Sequence, residues 1–247
     1  VPAPPRALRP GGTYYSVCVG LDTQSGSFPE RVRGWLGDQQ SEFDIIFAVA
    51  DARSPEQFAR ETAQLSGNLD PLFIRHWEEV FAAVGAQSLV YGALVIHRHA
   101  ETAEQVSIPP FTRRPRLSDT TDGACFDWMI NWRHWAARAD GPERLARIKP
   151  YLSANLQVKI NHIVQDRALV VEKITLESQW PFPVATQIDA WLLPVIAEFD
   201  GQQTTAELFE KAHAAAALPP NFRLQDFAGM VATLIERGYL ETGEVSA

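Results

Sequence analysis

The chain of 247 residues is poor in cysteine and has no long apolar run. Its two cysteines, Cys18 and Cys125, lie far apart and form no metal-binding or redox motif, so we expect free, buried thiols in a reducing compartment. No stretch approaches the ~20 apolar residues of a membrane span, and the proline-rich residues 1–12 lack the regions of a signal peptide. The sequence therefore predicts a cytoplasmic protein without a membrane association.

Lysine is also scarce, so that arginine supplies most of the positive charge, and the formal net charge is -8. A field of that sign repels nucleic acid unless cations gather locally, so a nucleic-acid role would require a basic patch. The hydrophobic fraction of 46% and the charged fraction of 21% are typical of a folded globular chain. Its length is enough for one large domain or two ordinary ones.

The first predicted domain, residues 1–104, alternates strands and helices. Apolar, β-branched runs predict strands at 13–21, 43–50 and 88–96. Ser54-Pro55 and Asp70-Pro71 are helix-start signals, since Ser and Asp cap a helix and proline is tolerated at its first position. The order strand, helix, strand, helices, strand predicts an α/β layer.

Leu8-Arg9-Pro10-Gly11-Gly12 precedes the first of these strands. With the elements that follow, it resembles the C-terminal half of a class I S-adenosylmethionine-dependent methyltransferase. In that family an L-x-P-G-G turn leads into the fifth strand of a seven-stranded sheet, and the last strand is inserted antiparallel. The resemblance covers about residues 5–100 and implies a partial Rossmann-like methyltransferase sheet.

The family's cofactor-binding features are missing from this chain. The glycine-rich turn after the first strand is absent, and no G-x-G-x-G occurs anywhere. Because that turn lets the backbone approach the cofactor and offers N–H groups, we expect S-adenosylmethionine to bind the full-length protein and not this chain alone. The resemblance implies a missing N-terminal methyltransferase half as partner, and no catalytic or cofactor-binding residue is assigned here.

The middle segment, residues 105–180, is predicted to be α+β, with a proline-rich loop at 108–115, a helix at 124–138 and a β-hairpin around Gln165-Asp166. Three tryptophans form one stripe of the helix, and three arginines precede it. Together they are the candidate substrate-binding residues: Trp128, Trp132, Trp135, Arg113, Arg114 and Arg116. Such a set could stack and clamp a base, although an aromatic stripe more often packs in a core and a basic loop is more often solvated.

His97 and His99 are spaced as metal ligands can be, with Glu101 nearby. A catalytic zinc site needs three protein ligands, and a solvent-facing pair at a strand end is the simpler interpretation. No metal is therefore predicted.

The last segment, residues 181–247, is predicted to be a winged-helix-like module. It combines a helix at 188–199, a capping box at Thr204-x-x-Glu207, and a third helix that ends at Gly238 before a short strand. Acidic residues offset the basic ones on the last two helices, so packing or protein interaction is favoured over DNA binding.

Two functions are compatible with these patterns. The first is the C-terminal fragment of a methyltransferase, inactive alone, that supplies the back of the sheet and positions an RNA or protein substrate. The alternative is a non-catalytic interaction protein whose winged-helix-like module and tryptophan helix bind a partner. A partial sheet would expose an apolar edge, so we expect a second copy of the chain or the middle segment to cover it.

Overall fold

The computed structural model describes residues 8–67, 70–100, 108–138 and 140–243. The fold is mixed α/β with several separate sheets. The chain divides into two compact units, Val1–Gln105 with Pro109–Leu117 and Val106–Ile108 with Ser118–Ala247. Residues 1–7, which open the first predicted domain, lie outside the described residues. The second unit comes entirely from the predicted middle and last segments, whereas Pro109–Leu117 of the middle segment belongs to the first unit.

A four-stranded sheet forms the centre of the first unit. Its strands are β1 (Thr13–Thr23), β2 (Phe43–Arg53), β3 (Ala86–Arg98) and β4 (Thr112–Arg113). Their spatial order is β1-β3-β2-β4, with β3 antiparallel to β1 and β2, and β4 parallel to β2. β1 and β2 therefore run in the same direction, and β3 is inserted between them with the opposite direction. The three predicted strands are confirmed.

The proline-rich stretch 108–115 is more regular than the predicted loop. The backbone N–H of Ile45 donates to the Phe111 carbonyl at 3.0 Å, and that of Val49 donates to the Pro115 carbonyl at 2.9 Å. Proline is tolerated at a sheet edge because its missing N–H costs no ladder hydrogen bond there. The loop prediction is therefore wrong at β4.

A tight turn introduces β1, as the Pro-Gly-Gly motif predicts. The N–H of Gly12 donates to the Arg9 carbonyl at 2.8 Å, and Gly11 has a φ of 76°. A turn with proline second and a positive φ third is a type II turn, which favours glycine at that third position.

Along the chain, the helices of the first unit alternate with its strands. They are α1 (Phe28–Trp35), a 3₁₀ helix (Gly37–Glu42), α2 (Pro55–Ser66) and α3 (Pro71–Ala83). Ser54 and Asp70 cap α2 and α3 as predicted: their side chains accept hydrogen bonds from the N–H groups of Gln57 at 3.1 Å and Leu72 at 2.9 Å.

The core of the first unit lies between α1 and the sheet. Phe28 and Val32 of α1 pack against buried residues of β2 and β3, including Phe47. The rings of Phe28 and Phe47 meet edge to face with centroids 4.9 Å apart. Gly20 makes this approach possible, because a Cβ there would lie 2.2 Å from the Phe28 ring.

The second unit combines helices with a small and a larger sheet. Its helices are α4 (Gly123–Ala136), α5 (Gly141–Arg147), α6 (Leu192–Ile196), α7 (Thr205–Ala214) and α8 (Leu224–Glu236). α5, α7 and α8 pack on one another, and the short strands β5 (Tyr151–Leu152) and β9 (Leu240–Glu241) pair antiparallel. Among the described residues, no helix has the length and apolar character needed to cross a bilayer.

The predicted hairpin is confirmed as β6 (Gln157–Gln165) and β7 (Ala168–Ser178), and β8 (Val184–Ile188) pairs with the base of β7. Asp166 and Arg167 have positive φ values of 49° and 66°, as a two-residue hairpin turn requires. The predicted helix 188–199 is wrong at its start. Ile188 pairs with Ile174 in the sheet, and α6 begins only at Leu192.

Candidate functional site

One edge of the first sheet is open in the described part of the chain. β1 pairs with β3 on one side, and Tyr15, Val17 and Val19 are 47%, 88% and 54% exposed. Exposed apolar side chains on an unpaired edge strand favour association with another strand. Strand β4 of the middle segment pairs with β2 at the opposite edge. Coverage of the β1 edge by a second copy or by the rest of the middle segment remains a prediction.

The carboxyl ends of β1 and β2 lie at the same end of the sheet. Asp22 pairs with Ser88 and Arg53 pairs with Leu89 in the register, so the two strands end beside neighbouring residues of β3. Open α/β sheets bind their ligands at the carboxyl ends of parallel strands. This end of the sheet is therefore the candidate site.

Asp22 is the centre of a buried polar cluster at that end. One carboxylate oxygen accepts a hydrogen bond from the Phe28 N–H at 2.8 Å. The other accepts from the Ser88 hydroxyl at 2.9 Å and from the Arg114 guanidinium at 2.6 Å. The Asp22 side chain is only 12% exposed, against 33% for Arg114. The cluster thus fastens the end of β1 to the start of α1, to β3 and to the segment after β4.

This environment keeps Asp22 ionised. Burial alone would raise its pKa, but the hydrogen bonds from Phe28, Arg114 and Ser88 outweigh burial, and the pKa lies below its ordinary value. A carboxylate with a lowered pKa is a poor proton acceptor near neutral pH. Asp22 is therefore suited to hold Arg114 and the strand end in position, and not to act as a general base.

Arg53 forms a second, more exposed cluster at the end of β2. Its Nε lies 2.7 Å from an Asp51 oxygen, another guanidinium nitrogen pairs with Glu61, and the guanidinium lies 4.9 Å from the centre of the Tyr91 ring. The hydrogen bond from Arg53 lowers the pKa of Asp51. The carboxyl end of the sheet thus carries two arginines, each already held by a carboxylate.

The three arginines of the sequence prediction lie in the first unit, on the segment that pairs with β2. Of these, Arg114 belongs to the Asp22 cluster. Arg113 lies in β4, and Arg116 forms an isolated bridge with Val49. The three tryptophans belong to the second unit.

The tryptophan stripe is largely internal to the second unit. Trp128 and Trp132 are 4% and 1% exposed, and Trp135 is half-buried. The Trp132 and Trp135 rings stack with centroids 5.2 Å apart, and Trp180 meets Trp128 edge-on at 4.7 Å. Burial favours the packing alternative for Trp128 and Trp132, because a base cannot stack on a ring face that other side chains cover. Arg144 lies 4.1 Å from the centre of the Trp135 ring.

The two histidines near the end of β3 contact different partners. His97 Nδ1 lies 2.9 Å from the Thr13 hydroxyl, and His99 Nε2 lies 3.0 Å from the buried carboxylate of Asp44. The side chain of His99 is only 16% exposed, so it does not form the predicted solvent-facing pair with His97. Glu101 lies outside the described residues.

The strand-to-helix turns of the first unit do not fit a nucleotide-type cofactor. At α1 the first N–H, that of Phe28, is already used by Asp22 at 2.8 Å. At α2, Ser54 and Gln57 exchange two hydrogen bonds in a capping box. Since these donors are satisfied within the protein, they are not available to hold a phosphate or a carboxylate. No chemical step is therefore derived through S-adenosylmethionine on these residues.

The cysteines supply no reactive nucleophile. Both are free, and burial raises the pKa of the Cys18 and Cys125 thiols. A thiol with a raised pKa carries little thiolate near neutral pH, and the thiolate is the reactive form.

No protein-family model matches the chain, and no curated protein matches it.

The sequence reasoning missed Asp22, Asp51 and Arg53. The signal available for them was position, because each follows a predicted apolar strand at its carboxyl end. Their partners Ser88 and Glu61 could not be found in this way.

Proposed function

We propose that the first unit is the rear part of the catalytic sheet of an S-adenosylmethionine-dependent methyltransferase. The cofactor-binding half would be supplied by polypeptide that pairs along the open edge of β1. Bound S-adenosylmethionine would supply an electrophilic methyl group in the assembled enzyme. Residues 8–117 would support the substrate side of the sheet.

The sheet order is the observation that carries this proposal. Two parallel strands, β1 and β2, flank an antiparallel strand, β3, that follows them in the chain. This is the arrangement that the resemblance implies for the last three strands of the family. The exposed apolar side chains Tyr15 and Val17 lie on the strand where the remaining sheet would continue.

The Asp22 cluster has a positioning role in this proposal. Its donors come from α1, β3 and the segment after β4, so it fixes the carboxyl end of β1 relative to three other elements. Enzymes gain rate by holding reactants in a defined geometry, and a rigid sheet end serves that purpose. The methyl acceptor would bind beside this end, with Arg114 available through its exposed portion.

The test begins with the gene. The reading frame is expected to extend upstream and to encode a glycine-rich strand–turn–helix. Residues 1–247 alone should give no heat with S-adenosylmethionine in calorimetry, whereas the complete protein should bind it. Micromolar binding by residues 1–247 alone would contradict the proposal.

A variant pair tests the assembly edge. Val17→Lys places a charge on the exposed face of β1 and should weaken association of residues 1–247 with the separately expressed upstream half. Leu72→Lys is the matched control, since Leu72 is 69% exposed and lies on helix α3 and not on the edge strand β1. A start codon directly before Val1, with no glycine-rich half in the complete protein, would favour the alternative of a non-catalytic interaction protein.

A further inference from the structure

The outer edge of β6 is exposed and carries several apolar side chains. All of β6 is exposed, and Val158, Ile160 and Val164 point to one face of the hairpin, with His162 between them. Their exposed cross-strand neighbours on that face are Leu169 and Val171. β6 contains no proline or glycine, and its one charged residue, Lys159, which is of a type that often blocks strand addition at an edge, is paired with Glu177 on β7. These five apolar side chains form one face, which we call the ribbon face.

The hairpin also lacks the support that a stable sheet requires. β8 pairs with Ile174–Ser178 at the base of the hairpin. Among the described residues, the tip of the hairpin, where 161–165 pair with 168–173, therefore has only two strands. A two-stranded ribbon is marginally stable in water without further strands or a packed face. Strand addition at β6 would supply both.

The charge pattern of β6 suits pairing with itself. Lys159 is the one formally charged residue of the strand, and its ammonium lies 2.6 Å from the Glu177 carboxylate on β7. In the strand sequence, Gln-Val-Lys-Ile-Asn-His-Ile-Val-Gln, the two outer pairs about Asn161 are identical: Gln157 with Gln165, and Val158 with Val164. An antiparallel pairing centred on Asn161 therefore places Lys159 opposite Ile163 of a second copy and brings no like charges together.

We propose that two copies of this chain pair antiparallel along β6 about a two-fold axis at Asn161. The residue pairs across the junction would be Gln157 with Gln165, Val158 with Val164, Lys159 with Ile163, and Ile160 with His162. Opposite residues share a face, so the ribbon faces of the two copies join on a six-stranded sheet into one largely apolar surface, with His162 of each copy near its centre. This dimer does not depend on the proposed methyltransferase function.

Sedimentation velocity over a concentration series tests the dimer on residues 1–247. The unaltered chain should be dimeric at micromolar concentration. Val164→Lys should raise the dissociation constant about tenfold or more, because the lysine would face Val158 of the second copy in an apolar contact. Val164 is 75% exposed in the single chain, so folding should be retained, as circular dichroism will check. Val170→Lys, on the other face of the hairpin and on β7, is the matched control and should remain dimeric.

The pairing register has its own test. Val158→Glu combined with Val164→Lys in one chain places each introduced acid opposite an introduced base, and should recover most of the lost affinity. A chain that is monomeric at all concentrations, including one that instead binds a different protein through the hairpin, overturns the proposal. A dimer that Val164→Lys leaves unchanged, or that the double variant fails to recover, overturns it as well.

Discussion

Replacing Asp22 tests whether its cluster holds the end of the first sheet together. Asp22→Asn keeps the shape and an acceptor for the Phe28 N–H, but it removes the charge that pairs with Arg114 at 2.6 Å. A hydrogen bond to a charged group contributes about 1.5–3 kcal/mol when buried, and the 33% exposure of Arg114 favours the lower end. We expect a loss of about 2 kcal/mol for Asp22→Asn. Asp22→Ala, which also leaves the Phe28 N–H without its acceptor, should cost about 3 kcal/mol.

The effect should depend on pH in a defined direction. Because the pKa of Asp22 is lowered in the folded protein, its charge stabilises the fold above the unfolded carboxyl pKa of about 3.9. That contribution is lost as the pH falls through the folded pKa, so the difference between the unaltered protein and Asp22→Asn should shrink below about pH 4.

Urea unfolding followed by circular dichroism at several pH values gives the free energies. Hydrogen exchange of peptides covering α1 shows whether the loss lies in the first unit, which matters because a chain of two units need not unfold in one step. Asp51→Asn, at a carboxylate whose side chain is 49% exposed, is the control and should change stability little. Equal stability of Asp22→Asn and the unaltered protein at pH 7 would refute the reasoning, as would a difference that does not change with pH.

Two further substitutions test the packing of each unit. Gly20→Ala would place a methyl group 2.2 Å from the Phe28 ring and should destabilise by about 1–3 kcal/mol, whereas Gly34→Ala, with no atom within 4 Å, should be neutral or stabilising in thermal melts. Equal melting temperatures for the two variants would contradict the close approach at Gly20. Trp132→Ala should cost about 3–5 kcal/mol in urea unfolding without any ligand present, because the side chain is 1% exposed. An unchanged stability would instead restore the stacking hypothesis.

The long elements of the first unit were predictable because their signals are local. The apolar run of β2 lies in a strand that is buried over its first half, and Ser54 and Asp70 cap helices through hydrogen bonds within three residues. β4 was missed for the opposite reason. Its two residues carry no strand pattern of their own, and they pair with Ile45 and Ile46 from a distant part of the chain.

The helix wrongly predicted to begin at residue 188 in the second unit also shows that local signals do not reveal pairing with a distant part of the chain. The apolar pattern of residues 188–199 fits a helix by its spacing, but Ile188 gains a cross-strand neighbour, Ile174, in a sheet that the pattern does not reveal. The Asp22 cluster could not be predicted in full for the same reason, because it depends on contacts between distant parts of the chain. Its position at a strand end is visible in the sequence, but its partners Ser88 and Arg114 lie 66 and 92 residues away.

The exposed edges of β1 and β6 call for different partners. β1 is parallel to β2, and its proposed neighbour is a strand from a different polypeptide segment. β6 has identical outer residues on the two sides of Asn161, and its proposed neighbour is β6 of a second copy. Val17→Lys should therefore weaken assembly with the upstream half and leave the dimer intact, while Val164→Lys should do the reverse. If either substitution disrupted both associations, a single surface would serve both, and the assignment of separate roles to β1 and β6 would be wrong.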